Sequence, residues 1–597
     1  MRLCYNQLMD KYPPLLKTLL EKRGIKTVEE AEDFLNPDYE QDLHDPFLLP
    51  DMDKAVGRIL QAVEKKERVV IFSDYDADGI PGGVILYDFF QKIGHENFTN
   101  YIPHRHDEGF GLNHEAIDQF KKDKVKLIIT VDCGITDLVE AEEIKKHKID
   151  LIITDHHLPA QAGLPEAVAV VDAKREDSQY PFKDLCGAGV AYKLVQAILI
   201  SLKEQKNPLR LTQTNRSEEI SVPLGWEKWL LDMVGIATLS DMVPLVGENR
   251  ALAYYGLKVL RKSPRVGLLK LFSLLKIDQR NITEDDIVFS ISPRINAASR
   301  MGSPDDAFKL FIAQDEVEAD LHARHLDKIN NERKGIVASL VKEVRKIMKK
   351  RYDDNPLDKA QCKGALEKKV IVIGNPDWKP SLLGLVANSL VDDHNRPVFL
   401  WGRDGGNILK GSCRGDGCMS VLDLMQQVEP GILQEFGGHQ MSGGFSVIEE
   451  KVHLLEEKLQ QAYEKVERQG EAFGTPKASP CLVESDLKLI LDEVTSANYK
   501  LIEKLAPFGT GNPKPLFLFE KVMIEKIKMF GKENNHLELT FKNSQNVNIK
   551  AIGFFRDQGE LKEGNKINLL ANLELSFFAG RKELRLRIVD LTPNPSP

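Results

Sequence analysis

Four short runs, RVVIFSD (68–74), KLIITVD (126–132), DLIITD (150–155) and AVAVVD (167–172), are continuously apolar, and each finishes on an aspartate. Runs of this length without polar alternation fit strands buried on both faces. Helix-like stretches such as DLVEAEEIKKHK (137–148) separate them, which is the pattern of a parallel sheet covered by helices on both sides. Ligands of open α/β sheets bind at the carboxyl ends of the strands, so the repeated aspartate marks a site as well as a fold.

The first of these ends is the most acidic. DYDADG puts Asp74, Asp76 and Asp78 on alternate positions, where an extended chain points side chains to the same side and their charges add. A cation is the usual remedy. TVDCGI supplies Asp132, TDHH supplies Asp155, His156 and His157, and IATLSDMVPL supplies Asp241 after a helical stretch. Carboxylate oxygens mixed with imidazole nitrogen favour Mn²⁺ or Mg²⁺ over zinc. Two such ions roughly 3.5–4 Å apart suit hydrolysis of a phosphodiester. A lone strand-end aspartate is more often a cap or turn former. The ordered occurrence of all four motifs carries the signal.

With 597 residues, 42% hydrophobic and 29% charged, the chain can bury several cores, and three or four domains are expected. No apolar run approaches the roughly 20 residues needed to span a bilayer, and the start MRLCYNQLMDKYPP lacks the apolar core of a secretion signal. A cytoplasmic protein without membrane association is expected. Seven cysteines without CxxC pairs argue against a disulfide framework or zinc ribbon. A formal charge of -9 gives no whole-molecule attraction for nucleic acid, leaving only a local basic groove. Residues 315–350 read as a long charged helix between two lobes. A second α/β lobe runs from KKVIVIGN (368–375) through the glycine-rich FGGHQMSGGF (436–445). Five strand-like runs near the end of the sequence then suggest a small OB-type barrel.

At DYDADG, VDCG, TDHH and SDMVPL the sequence resembles the DHH phosphoesterase superfamily and, within it, the RecJ family of single-strand-specific 5′-to-3′ exonucleases. PHRHDEGFGLN (103–113), SPRINAASRMGSP (292–304), GSCRGDG (411–417), GGHQMSGG (437–444) and LAPFGTGNPKPLF (505–517) extend the resemblance over nearly the whole chain. It implies a two-lobed α/β fold, a parallel-sheet DHH domain and a DHHA1 domain joined by a long helix, with a C-terminal OB-type β-barrel. The implied divisions are an N-terminal segment packing on the core (1–50), a catalytic domain (51–314), the connecting helix (315–350), a substrate-binding DHHA1 domain (351–470) and a nucleic-acid-binding OB domain (480–592).

The same resemblance implies that Asp76, Asp78, Asp132, His156 and Asp241 hold two divalent ions, Mn²⁺ or Mg²⁺, with Asp132 bridging and Asp74 in support. His157 would face the scissile phosphate and Asp155 would orient its neighbours. Arg105, Arg294, Asn296, Ser412, Arg414, Gly438 and His439 would grip the phosphate backbone, Gly437 and Gly438 allowing close approach. The implied activity is release of mononucleotides from single-stranded DNA in repair and recombination, by a monomer that meets single-strand-binding protein and a recombination helicase. The alternatives are an oligoribonucleotide or cyclic-dinucleotide phosphodiesterase, and a non-catalytic replication scaffold. After DADG many relatives carry Ser or Thr, where this chain has Ile80, Pro81, Gly82 and Gly83. GSCRGDG likewise has Gly415 where a second serine is common, and residues 203–225 read as a loop insertion.

Overall fold

In a computed structural model of the chain, the described residues are 11–204, 222–352, 368–403, 408–472, 485–531, 534–578 and 581–593. The stretch read as an insertion therefore lies largely outside the described residues.

The four apolar runs form strands of one sheet. They are β1 (Val69–Ser73), β3 (Leu127–Val131), β4 (Asp150–Thr154) and β5 (Ala169–Val171), joined by an edge strand β2 (Phe98–Tyr101). All pair in parallel, in the order β2-β1-β3-β4-β5. Sequence periodicity passed over β2 because FTNY sits half out of the core and carries no apolar run. Alternate residues of β1 enter different cores: Val69 and Ile71 join one cluster of buried side chains, Val70 and Phe72 another. Helices therefore cover both faces, and an unbroken apolar strand is what that burial demands.

Register fixes what happens at the carboxyl edge. Ser73 pairs with Val131, Val131 with Thr154, and Thr154 with Val171. The next residue of each strand, Asp74, Asp132, Asp155 and Asp172, therefore stands in one row. The backbone bonds continue across it, Asp74 N–H to Val131 O and Asp132 N–H to Thr154 O. Strand order reverses between β1 and β3, so Asp74 and Asp132 flank the topological switch point where α/β sheets open a crevice.

The departures after DADG serve packing. Helix Gly79–Lys92 accommodates Pro81 in its first turn, where a missing N–H removes a donor with no intrahelical partner anyway. Gly82 lets that helix lie against β3 and helix Gly187–Glu204: a Cβ there would stand 2.5 Å from Val131 Cγ1 and 3.1 Å from Ala188 Cα.

Helix Glu316–Tyr352, 37 residues and so roughly 55 Å long, bridges the two lobes. Its Ala323 and Leu326 belong to the first lobe's core, while Val341, Val344 and Met348 belong to a core of the second. That second lobe is a mixed sheet, β6 (Ile371–Gly374), β7 (Val398–Arg403), β8 (Ile408–Arg414), β9 (Leu433–His439) and β10 (Ser442–Ile448), in the order β6-β7-β8-β10-β9. Only β6 and β7 are parallel, with helix Pro380–His394 crossing between them.

The last sheet comprises β11 (Leu487–Lys488), β12 (Phe517–Met523), β13 (Lys526–Phe530), β14 (His536–Lys542), β15 (Asn548–Gly553), β16 (Lys566–Phe578) and β17 (Arg581–Pro593). The run expected as one first strand is bent at Ile524 and Glu525 into β12, which pairs with β16, and β13, which pairs with β14. The bend closes the sheet on itself, so the five runs do make an OB-type barrel. Leu16, Leu19, Leu20 and Ala31 of the N-terminal helices pack into this barrel's core, whereas Tyr39, Leu43 and Phe47 lie on the first lobe. Among the described residues no helix is long and apolar enough to cross a membrane.

If Gly82 marks a close helix–sheet approach, Gly82→Val should destabilise the chain by about 1–3 kcal/mol through overpacking. Urea unfolding followed by circular dichroism checks this.

Candidate active site

The row of strand-end aspartates is neither evenly solvated nor evenly satisfied. Asp74, Asp78 and Asp132 are buried, at 4%, 1% and 3% exposure. Asp78 is the best anchored: its carboxylate accepts the Gly187 N–H at 2.6 Å and the Ala188 N–H at 2.7 Å. Asp76 Oδ1 accepts the N–H groups of Asp78 and Gly79 at 2.7 and 3.1 Å, capping the following helix. Asp74 Oδ1 and Asp132 Oδ1, by contrast, are buried without a hydrogen-bond partner. Asp132 is also left-handed at φ 64°, an unusual backbone for a residue with a side chain.

Burial first, and neighbouring carboxylates second, hold the Asp74, Asp78 and Asp132 carboxyls above their ordinary range, Asp78 at about 7. A group of acids this close can be ionised together only if a cation joins them.

Imidazole completes the set. His156 Nε2 lies 3.1 Å from Asp132 Oδ1, 3.8 Å from Asp78 Oδ2 and 3.8 Å from Asp241 Oδ2. Burial, and then the charge of His157, lower the His156 pKa to about 3. The ring is therefore neutral and has a lone pair to give. Two groups result, Asp78–His156–Asp241 and Asp74–Asp76–Asp132, in each of which the ligand atoms lie within 4.8 Å of one another. Asp132 joins them through its approach to His156. Asp241 reaches the site from the C-terminal end of helix Leu231–Ser240 and not from the sheet.

His157 is different in charge. Its Nδ1 donates to Asp155 Oδ1 at 2.8 Å. Burial opposes protonation, but that bond and the Asp155 charge outweigh it and raise the pKa to about 9. Asp155 also accepts the backbone N–H groups of His156 and Ile135 at 2.7 and 2.9 Å. It holds the His157 ring directly and His156 through its backbone.

These groups border a cavity of about 230 Å³, walled by Asp74, Asp76, Asp132, His157 and Asp241 on one side and by Arg105, Asn296 and Arg300 on the other. Arg105 stacks over Tyr75, its Cζ 4.8 Å from the ring centre. Arg300, which the sequence reading passed over, reaches the second lobe, Nη1 donating to Ser381 O at 2.5 Å, and its Nε has no hydrogen-bond partner. Its pKa is lowered, chiefly by burial and then by Arg105, Arg414 and Arg333. An anion would relieve that crowding.

Arg294 stands elsewhere. Its Nη2 and Nε grip Asp327 Oδ1 at 2.6 and 3.0 Å and its Nη1 donates to Ser290 O, tying two helices together. Asn296 Oδ1 accepts the Ala77 N–H at 3.0 Å, which fixes the acidic loop from outside. Arg300 follows Arg294 by six positions of one helix, so the two side chains leave it on different faces.

On the second lobe, Ser412 and Arg414 share one face of β8, opposite buried Leu409 and Cys413. Arg414 lies against Gly384, where a Cβ would stand 2.9 Å from Nη2. Gly438, at φ 136°, shapes the β9–β10 hairpin: a Cβ there would come within 2.4 Å of Ser442 O. Gly437 has no neighbour within 4 Å of that position. The His439 side chain lies outside the described residues.

Family models match each lobe in turn: the DHH family N-terminal domain over residues 68–217, the DHHA1 domain over 367–469 and the RecJ OB domain over 485–590. The single-stranded-DNA-specific exonuclease RecJ of Bacillus subtilis is 32% identical over 582 residues, 97% of this chain and 68% of the relative. This chain belongs to the RecJ family. The Haemophilus influenzae member is 28% identical over 97% of this chain and 96% of its own. The crystal structure of Thermus thermophilus RecJ in complex with Mn²⁺ matches at a TM-score of 0.76 with 24% identity, covering 100% of this chain and 78% of that one, and so shares the RecJ fold.

Asp132→Asn should raise the thermal midpoint of the metal-free chain at neutral pH, because a buried carboxyl that folding forces to take up a proton or repel its neighbours becomes a neutral amide. The same change should abolish the stabilisation that added Mn²⁺ gives the parent protein. Differential scanning fluorimetry with and without Mn²⁺ reads both.

Proposed function

We propose that the chain is a metal-dependent exodeoxyribonuclease that removes mononucleotides from the 5′ end of single-stranded DNA. The observation that carries this reading is the meeting, in one small cavity, of a carboxylate–imidazole row with the guanidinium groups of Arg105 and Arg300. Relatives named single-stranded-DNA-specific exonuclease, aligned along nearly the whole chain, support the substrate class.

Asp76, Asp78, Asp132, His156 and Asp241 are the residues assigned to hold two divalent ions, Mn²⁺ or Mg²⁺, with Asp132 shared and Asp74 beside Asp76. The donor set fits: carboxylate oxygens with one neutral imidazole, two of the oxygens buried and unpartnered. Bound there, such ions supply an acidified water and offset charge growing on the phosphorane. His157, kept cationic by Asp155, adds positive charge on the cavity wall toward the scissile phosphate. Arg105, Arg300, Arg414 and Ser412 hold the strand's phosphates, with the backbone near Gly438 and His439 following it. Asn296 and Arg294 act one step back, on the acidic loop and the helix that carry the site.

The working division is a catalytic domain over 51–314, a connecting helix over 315–350, a DHHA1 domain over 351–470 and an OB domain over 480–592, preceded by residues 1–50. In this reading the enzyme works as a cytoplasmic monomer beside single-strand-binding protein and a recombination helicase.

Single-stranded DNA labelled at either end and incubated with and without Mn²⁺ tests the assignment. Nucleotides should leave from the 5′ end only, and only with the ion. Asp76→Ala and Asp132→Ala should abolish release. Arg414→Ala should raise KM roughly tenfold or more with a smaller change in kcat, because one charge-assisted phosphate contact is lost. Equal rates on blunt duplex and single strand would overturn the proposal.

A further inference from the structure

Asp241 is the one proposed ligand that the sheet does not hold, and the segment that follows it has an unusual anchorage. Met242 is left-handed at φ 62° and exposed, a conformation that persists in a residue with a side chain only where the surroundings impose it. Three residues on, the Leu245 N–H donates 2.7 Å to the carbonyl of Thr510, which belongs to the glycine-rich loop leading into the barrel. That loop is a closed turn: Gly509 and Asn512 exchange backbone hydrogen bonds of 2.9 and 3.1 Å. Its two glycines straddle the segment. A Cβ on Gly509 would stand 2.7 Å from Leu245 Cδ1, and one on Gly511 would stand 3.2 Å from Pro244 Cβ.

The turn is itself fixed to the first lobe. Buried Arg250 donates to the carbonyls of Leu505 and Ala506 at 3.0 Å each and of Phe34 at 2.9 Å. Asn512 Nδ2 donates to the carbonyls of Leu505 and Pro507 at 2.8 and 2.9 Å, and Arg23 Nε holds its Oδ1 at 2.8 Å. A guanidinium spent on backbone carbonyls away from water makes a rigid mount. On the other side, Asn249 Nδ2 takes Pro244 O at 3.2 Å.

We propose that the Gly509–Asn512 turn at the foot of the barrel is a positioning element for the metal centre, setting the Met242–Leu245 segment and through it the carboxylate of Asp241. The barrel then contributes to ion affinity as well as to strand binding. This rests on the ligand assignment made above for Asp241.

The test uses the full chain. Gly509→Val drives a branched side chain into Leu245, and Leu245→Ala in the same chain makes room for it. Mn²⁺ binding is read by isothermal titration calorimetry, and single-strand affinity by fluorescence anisotropy with chelator present. G509V should weaken Mn²⁺ binding at least fivefold and leave metal-free strand affinity within twofold. The double variant G509V/L245A should recover most of the loss. Should G509V fail to fold, Gly511→Val, which presses on Pro244 from the other end of the turn, serves in its place. G509V with unaltered Mn²⁺ affinity overturns the inference, as does a loss that the double variant leaves in full. A parent chain that binds no Mn²⁺ overturns the ligand assignment itself.

Discussion

Repulsion among carboxylates lined up by a parallel register is the constraint on which the rest of this structure depends. Four strands of the first sheet, β1, β3, β4 and β5, each deliver an aspartate to the same edge because Ser73, Val131, Thr154 and Val171 are in register. Four hydrophobic strands stabilise the sheet, and the acids come with it. Everything around them either compensates or exploits the charge: backbone donors on Asp78, a helix terminus on Asp76, two imidazoles on Asp155 and Asp132. The two oxygens left without partners, on Asp74 and Asp132, are the ones most exposed to a bound cation's influence. Stability is given up at this edge and retained elsewhere in the cores, the usual position of a working site.

Much of this was legible in the amino-acid sequence because it is local. A continuous apolar run means a strand buried on both faces, and the residue after it means the carboxyl edge. What was not legible depends on distance or on helical phase. Strand β2 has no pattern of its own and exists because β1 offers it a partner edge. Arg294 and Arg300 share one motif, yet the first is turned to Asp327 and the second into the cavity. The bend at Ile524 is a tertiary event, since β12 and β13 serve different neighbours. Nor does anything in the sequence of helix Pro14–Lys22 say that its leucines will pack on a barrel that begins more than 450 residues later.

Charge is arranged across the cavity with opposite signs on facing walls. The acidic wall is fixed by the sheet and, at Asp241, by the end of helix Leu231–Ser240. The basic side is assembled from the loop bearing Arg105 and the helix bearing Arg300, and Arg414 on β8 of the second lobe adds its charge to that of Arg300. Arg300 is the joint between them, since the same guanidinium feels Arg105 and Arg414 and bonds the second lobe at Ser381. Burial first, and the neighbouring guanidinium groups second, lower its pKa. The negative charge of the whole chain is then no obstacle, because the field that a strand's end meets is the local one.

Size decides what can use this site. A cavity of about 230 Å³ is smaller than the roughly 300–1,000 Å³ that encloses a drug-sized ligand. On that scale it suits a phosphate group and its immediate surroundings more than a bulky duplex end. The residues that border it all belong to the first lobe, which is tied to the second by the Arg300–Ser381 bond and by a helix whose two halves are buried in different cores. In the proposed exonuclease, preference for a single strand rests on the narrowness of this first-lobe cavity, in which guanidinium groups and carboxylates stand close together. Widening the cleft to admit a second strand would separate the two walls and with them the chemistry.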